Sequence, residues 1–407
     1  MRTVRLRQFA ASPTVLGMAT LKIEGSDIRH CCWLDHYRPG RTIPSELVSE
    51  VSMYLFFFAA LLQSIASMQA AVPNRQPELA STRDMTALVF SSGGSIWFAA
   101  SRDMGATFSK PTEVAKVPVL AVGRHRGPHV VISGKTIVVS AIYGNAPAEG
   151  EHAHGLPANG DLTAWRSEDG GATWSPPTVI NDVPGSAREG LHAMAAGENG
   201  ELASVWLDLR SKGTRLYGSF SKDNGATWSK NVLIFEAPGG TICQCCHPSI
   251  VFSGKHDFDV MFRNVLDNSR DLYLARWDPR AMPSRPVKIG VGSWNINACP
   301  MDGGGLVRRG NKIITAWRRD ETVYLDEAGQ PETSVGKGKD VALAVTGRGS
   351  YVAWTSKDGI EVHCPNAEMK DMLVGPGGAF VSLTALPDDS VLAAWEHDGR
   401  IEIKTFR

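Results

Sequence analysis

The chain has no excess of either charge: 42 Lys and Arg stand against 42 Asp and Glu in 407 residues. That balance argues against a nucleic-acid-binding protein, which needs a basic face for phosphates, and gives no push toward an anionic membrane surface. Low-complexity tracts are absent, and past residue 80 so is any long amphipathic helical pattern. The length allows a large core, as one big all-β domain or two smaller ones. What the chain does have is turn chemistry, with 41 Gly and 23 Pro.

One stretch organises the rest. Ser167-Glu168-Asp169-Gly170-Gly171-Ala172-Thr173-Trp174 recurs as Ser221-Lys222-Asp223-Asn224-Gly225-Ala226-Thr227-Trp228 and, with Phe for Trp, as Ser101-Arg102-Asp103-Met104-Gly105-Ala106-Thr107-Phe108. Each copy lies between alternating apolar runs and so predicts the loop of a β-hairpin. The Ser and Asp oxygens can bond N–H groups inside the turn, Gly supplies positive φ, and the aromatic folds back onto the sheet.

Inner-strand patterns start at Pro128-His129-Val130-Val131, Leu191-His192-Ala193-Met194 and Pro248-Ser249-Ile250-Val251. Others follow at Gly305-Leu306-Val307, Val341-Ala342-Leu343-Ala344 and Phe380-Val381-Ser382-Leu383. Six units at this spacing predict an all-β, six-bladed β-propeller over residues 80–407. The piece from Thr86 to Val117 lacks a clear inner strand and the unit from Phe380 supplies one, so the two ends are expected to share a blade. Seven blades are the alternative, because the terminal pieces hold more strand material than one blade needs. The Trp residues of the following strands read as packing between blades.

Ahead of the propeller, residues 53–72 form an apolar run ending in small residues, like the hydrophobic region and cleavage end of a signal peptide cut near Ala70 or Ala71. Gln63, Ser64 and Ser67 interrupt it too often for a membrane span. Export to the periplasm or beyond follows as an expectation, with no stable span in the mature chain. Residues 1–52 are an unassigned extension, or the natural start lies near Met53.

The octapeptide resembles the Asp-box, or BNR repeat, of the sialidase superfamily of β-propellers. The resemblance implies that Asp103, Asp169 and Asp223 form turns between third and fourth strands and are not catalytic acids. Cys245-Cys246-His247-Pro248-Ser249, Phe262-Arg263-Asn264 and Ala298-Cys299-Pro300-Met301-Asp302-Gly303-Gly304-Gly305 are further similar to exported bacterial sialidase-like proteins. The likeness implies an exo-sialidase-like glycoside hydrolase acting on sialic acid or a related acidic sugar. In that family arginines grip the substrate carboxylate, a Tyr activated by Glu attacks, and an Asp protonates the leaving group. The matching candidates are Arg126, Arg188 and Arg263 with Arg318 in reserve, Glu189 as base partner, Asp302 as acid, and Tyr324 or Tyr143 as nucleophile. The chain carries no Phe-Arg-Ile-Pro segment. The alternative for the arginines is pairing with Asp208, Asp271 and Asp320.

The loops leading into the inner strands suggest a second reading. Cys243, Cys245, Cys246, His247 and Cys299 are ligand types that zinc and copper prefer, with His129 and His192 on adjacent blades. The C-x-C-C-H spacing is not a standard zinc motif. Export favours disulfides instead, such as one from this loop to Cys299, with Cys364 outside the group. The cofactor expectation is therefore none, with a metal at the Cys/His cluster as the rival. A third reading is a non-catalytic propeller whose loops hold a carbohydrate or a protein partner.

Overall fold

A computed structural model describes residues 17–23, 26–32, 62–69, 71–148, 155–254, 256–327, 330–365 and 372–406. The chain divides into two units, Met1–Ala59 and Ala60–Arg407. In the first, strand Gly17–Ile23 pairs antiparallel with Ser26–Cys32. The rest of the expected extension and the apolar stretch 53–61 lie outside the described residues.

The second unit is a β-propeller of seven antiparallel sheets, and no helix occurs among its described residues. Six blades were expected with seven as the alternative, and seven form: the piece from Thr86 to Val117 has an inner strand of its own and does not share the blade of the unit from Phe380. Asn74–Ser81 is the inner strand of blade 1, followed by Thr86–Ser92, Ser95–Ser101 and Thr112–Lys116. Its sequence hides it, because Pro77 and a register shift between Arg75 and Glu78 break the alternation, and Gln76 sits at φ 52°. The inner strands of blades 2 to 6 are His129–Ser133, His192–Ala196, Ser249–Gly254, Gly304–Arg309 and Lys339–Thr346. Blade 7 is Ala379–Ala385, Val391–His397 and Arg400–Phe406, with Gln63–Ile65 as its outer strand. The fold thus begins before residue 80 and takes a strand from within the 53–72 segment. Cleavage near Ala70 would leave blade 7 with three strands.

Second strands carry the core because both their faces are covered. In Leu202–Asp208 of blade 3 every residue is buried. Val205 and Leu207 pack toward Phe258, Val260 and Phe262 of blade 4, while Leu202 and Trp206 pack toward Val138 and Leu162 of blade 2. Period-two alternation here sorts apolar residues between two neighbours, and sorts none of them to water.

Each octapeptide closes the turn between third and fourth strands of blades 1, 2 and 3. The Asp169 carboxylate accepts hydrogen bonds from the Thr173 hydroxyl (2.5 Å), the Thr173 and Ala172 N–H groups (2.9 and 3.0 Å) and the Ser167 hydroxyl (2.8 Å). These donors, led by the Thr173 hydroxyl, hold the carboxyl down at about 2. Gly171 has φ 91°, and a Cβ there would meet the Phe98 ring of blade 1 at 2.1 Å. Trp174 packs edge-on against the same ring, with centroids 5.4 Å apart. The turn is therefore also a contact with the preceding blade.

In blade 3 the buried Ser221 hydroxyl accepts the Gly225 N–H at 2.9 Å. Ser221→Ala orphans that N–H and should destabilise the protein by about 1–2 kcal/mol without altering ligand binding, as read by urea unfolding.

Candidate functional site

The inner strands surround a central cavity of about 230 Å³, lined among others by Glu78, His125, His129, His247 and Phe380. The turn Gly123–Arg126 delivers its most reactive wall. Gly123 and Arg126 exchange backbone hydrogen bonds (3.0 and 3.2 Å), and the two residues between them, Arg124 and His125, have φ 54° and 66°. That is the geometry of a two-residue hairpin turn in which Asn-Gly is favoured. A chain that places Arg-His there accepts strain of about 1–3 kcal/mol per residue.

The turn aims His125 into the cavity. Its Nε2 lies 2.9 Å from Asp340 Oδ1 and 4.0 Å from Asp302 Oδ1, and its ring stacks on His247 with centroids 4.3 Å apart. Asp302 is fully buried; its Oδ2 accepts the Asp340 N–H at 3.0 Å, while Oδ1 has no hydrogen-bond partner among the described residues. Burial opposes protonation of His125, but the Asp340 hydrogen bond and the charges of Asp340, Asp302 and Glu78 outweigh it and raise its pKa. Burial raises the Asp302 carboxyl. Asp340 is held below the usual range, because His125 more than offsets its burial.

Two further imidazoles face each other across the wall, His129 and His192, with centroids 4.4 Å apart. His192 Nε2 lies 3.0 Å from Ser140 Oγ, and its Nδ1 is buried with no hydrogen-bond partner among the described residues. Burial, with the charge of His125 adding to it, pushes His129 down to about 4. Burial likewise holds His192 and His247 well below the ordinary value. Glu78 Oε1 lies 3.8 Å from His129 Nδ1; burial within the channel wall pushes its carboxyl up to about 7, although 37% of the side chain is open to cavity water.

The expected residues divide. Arg126, Arg188 and Glu189 do come together: Arg126 Nε donates to the Glu189 carbonyl at 2.5 Å, and its Nη2 lies 3.8 Å from the Glu189 carboxylate. Burial raises the Glu189 carboxyl, against the pull of Arg126 and Arg188. Arg188 is exposed. Arg263 is 1% exposed, and it donates to the carbonyls of Asp302 (3.1 Å), Arg270 (2.6 Å), Gly303 (3.4 Å) and Arg318 (3.1 Å). A guanidinium spent on four carbonyls braces loops and has no fork left for a carboxylate. Arg263 and Arg318 both lie 5.2 Å from the Trp294 ring.

Tyr324 stacks on Trp317 within blade 5 under the Arg319 guanidinium, and Tyr143 packs on Trp165. Neither lines the cavity. Asp208 and Asp271 are paired, but with Arg210 (2.9 Å) and Lys288 (3.0 Å), and the Asp320 carbonyl accepts from Arg318 (2.5 Å). Sequence reasoning passed over His125, Glu78 and Asp340. Glu78 lay in a segment read as outside the fold, whereas Asp340 stands just before the Val341 pattern, a position that signals the mouth.

The cysteines form a separate group. Cys243 Sγ lies 2.9 Å from Cys246 Sγ and 3.7 Å from Cys245 Sγ, all three buried. Cys243, Cys245, Cys246 and Cys299 form no disulfide; Cys299 is exposed, and Cys364 lies in the core between blades 6 and 7. The expected bridge to Cys299 is not formed. His247 turns from the sulfurs into the channel, where its Nδ1 accepts the Gly303 N–H at 3.2 Å.

Arg124→Asn, which keeps the His125–Asp340 pair, should relieve part of the turn strain and stabilise the protein by about 1 kcal/mol, measured by thermal unfolding. A second expectation concerns acid. His129 and His192 take up protons less readily when folded, so their stability contribution is present above their unfolded pKa of about 6.5 and is lost as pH falls toward 4. Glu78 and Asp302 act in the opposite sense in both proteins, so His129→Gln/His192→Gln should lose about 2–5 kcal/mol less than the wild type between pH 6.5 and 4.5, read by urea unfolding.

No protein-family model and no curated protein matches the chain. Among solved structures it is similar to the α-L-arabinanase of Penicillium chrysogenum complexed with arabinobiose, at 13% identity over 84% of this chain and 98% of that one, with a TM-score of 0.50. It is also similar to an ulvan lyase bound to a GlcA(1-4)Rha3S oligosaccharide, at 10% identity over 84% and 95% of the two chains, with a TM-score of 0.51. The intramolecular trans-sialidase of Ruminococcus gnavus matches at 12% identity over 84% and 96%, with a TM-score of 0.49. The first two likenesses, at such identities, bear on the fold alone.

Proposed function

We propose that this propeller cleaves an anionic carbohydrate at the mouth of its channel. The observation that carries the reading is the strained turn Gly123–Arg126. It sets an imidazole held by a carboxylate next in sequence to Arg126, which engages Glu189, a carboxylate that exposed Arg188 also faces through its charge. A guanidinium matches a sugar carboxylate in a bidentate way, so Arg188, exposed, and Arg126 behind it hold the substrate. His125 moves the proton. Asp340 engages Nε2 of this cavity-lining ring, which leaves Nδ1 to exchange a proton, and Asp302 and Arg263 fix the loop beneath. The arabinanase and ulvan lyase structures hold carbohydrates, which supports this class of substrate.

Hydrolysis of a sialoside is the finer form of the proposal. Glu189 is engaged by Arg126 and neither Tyr reaches the cavity, so proton transfer to the leaving oxygen falls to His125 and not to a Tyr–Glu pair with Asp302 as acid. A second reading, β-elimination from a uronate, is favoured by the same pairing of imidazole with guanidinium, because elimination needs a base beside a neutralised carboxylate. Export, on the strength of the 53–72 segment, would bring the channel to external glycans.

The test is turnover of a fluorogenic sialoside and of uronate polysaccharides by the full chain. His125→Asn, which tolerates positive φ, should lower kcat by about 10²–10⁴-fold, and Arg188→Ala should raise KM by about 10–100-fold. If His125 is the acid of a hydrolase, the rate falls as pH rises through its raised pKa; if it is the base of a lyase, the rate climbs over the same range. No turnover and no binding of either class would leave a propeller that holds some other partner.

A further inference from the structure

The loop leading into blade 4 brings three thiols to one point. Its start is anchored by the Cys243 N–H, which donates to the Arg263 carbonyl at 3.1 Å. The chain then turns, Gln244 faces solvent, and Cys243, Cys245 and Cys246 face inward at 0, 6 and 1% exposure. All three sulfurs lie within 4.8 Å of one another. Val265 and Met301 pack against them and keep the group dry. Arg270 Nη1 lies 3.5 Å from Cys243 Sγ, and Arg126 and Arg263 also act on these sulfurs through their charge.

We propose that Cys243, Cys245 and Cys246 bind one monovalent copper ion through three sulfurs. The inference goes beyond the carbohydrate reading and does not depend on it. Thiolates are soft ligands that select soft, thiophilic ions. Among the described residues no carboxylate or imidazole joins the set, whereas structural zinc almost always takes four ligands. A three-coordinate sulfur site is one that monovalent copper accepts. On binding, the three thiols release their protons to solvent and the copper takes their place, with no change in oxidation state of metal or sulfur. The product carries two net negative charges, which Arg270, Arg126 and Arg263 offset from around the loop. Copper also explains why the chain keeps an odd number of contacting buried thiols, since a Cys243–Cys246 disulfide would strand Cys245 in an apolar pocket.

The full chain, reduced and handled without oxygen, is titrated with monovalent copper against bicinchoninate. The expected result is one copper per chain, a sulfur-only shell in X-ray absorption, and protection of three cysteines from alkylation. Cys245→Ser and Cys246→Ser should abolish retention, Cys299→Ser should leave it intact, and Arg270→Gln should weaken it about tenfold. Should the cysteine variants fail to fold, the absorption spectrum and alkylation pattern of the wild type still decide. No retained copper after full reduction, a nitrogen or oxygen shell, copper held by the Cys245→Ser/Cys246→Ser double variant, or retention of zinc alone would each overturn the proposal. A Cys243–Cys246 disulfide that persists under reductant would do the same.

Discussion

The Glu396 carboxylate on blade 7 closes the ring. Its Oε1 accepts both the backbone N–H (2.7 Å) and the side-chain amide (2.9 Å) of Gln76 on blade 1, and its Oε2 lies 3.4 Å from Arg75. The Leu79 N–H donates to Ser382 Oγ at 3.1 Å across the same seam. A blade has apolar side chains on both faces, so each is covered only when both neighbours are in place. Closure of the last gap therefore covers the facing sides of blades 1 and 7, which would otherwise stand open to water. The mouth loops converge for the same reason, since radial packing of the blades fixes where their inner strands begin.

That convergence gathers ionisable groups where water is scarce. His129, His192 and His247 remain neutral because burial disfavours their charged forms. His125 differs because its turn swings it against Asp340 and Asp302. One imidazole whose pKa is raised among three whose pKa values are lowered is a local pattern set by a strained hairpin. The strain is tolerated because Arg126 locks the turn to the Glu189 carbonyl on the next loop.

The fold class was legible because the octapeptide repeats and because inner-strand patterns recur at blade spacing. The blade number was not. Asn74–Ser81 holds Pro77 and a bulge, and only its hydrogen bonds to Thr86–Ser92 and blade 7 make it a strand. Arg126, Arg188 and Glu189 were legible as a group because they sit in adjacent mouth loops. Arg263 and Tyr324 were misread because residue type does not reveal where a side chain ends: one guanidinium is taken up by carbonyls, one phenol by Trp317 and Arg319.

What the sequence by itself determined is local: turns that need Gly at positive φ, strands that alternate, and three cysteines within four residues whose spacing already forces them into one loop. What only the tertiary structure decided is who faces whom. Glu78, His125, His247 and Phe380 are separated by up to hundreds of positions along the chain, yet they meet at one cavity, with Asp340 holding His125, because seven sheets close around it. Contacts of that kind are set by ring closure, which no window of sequence contains.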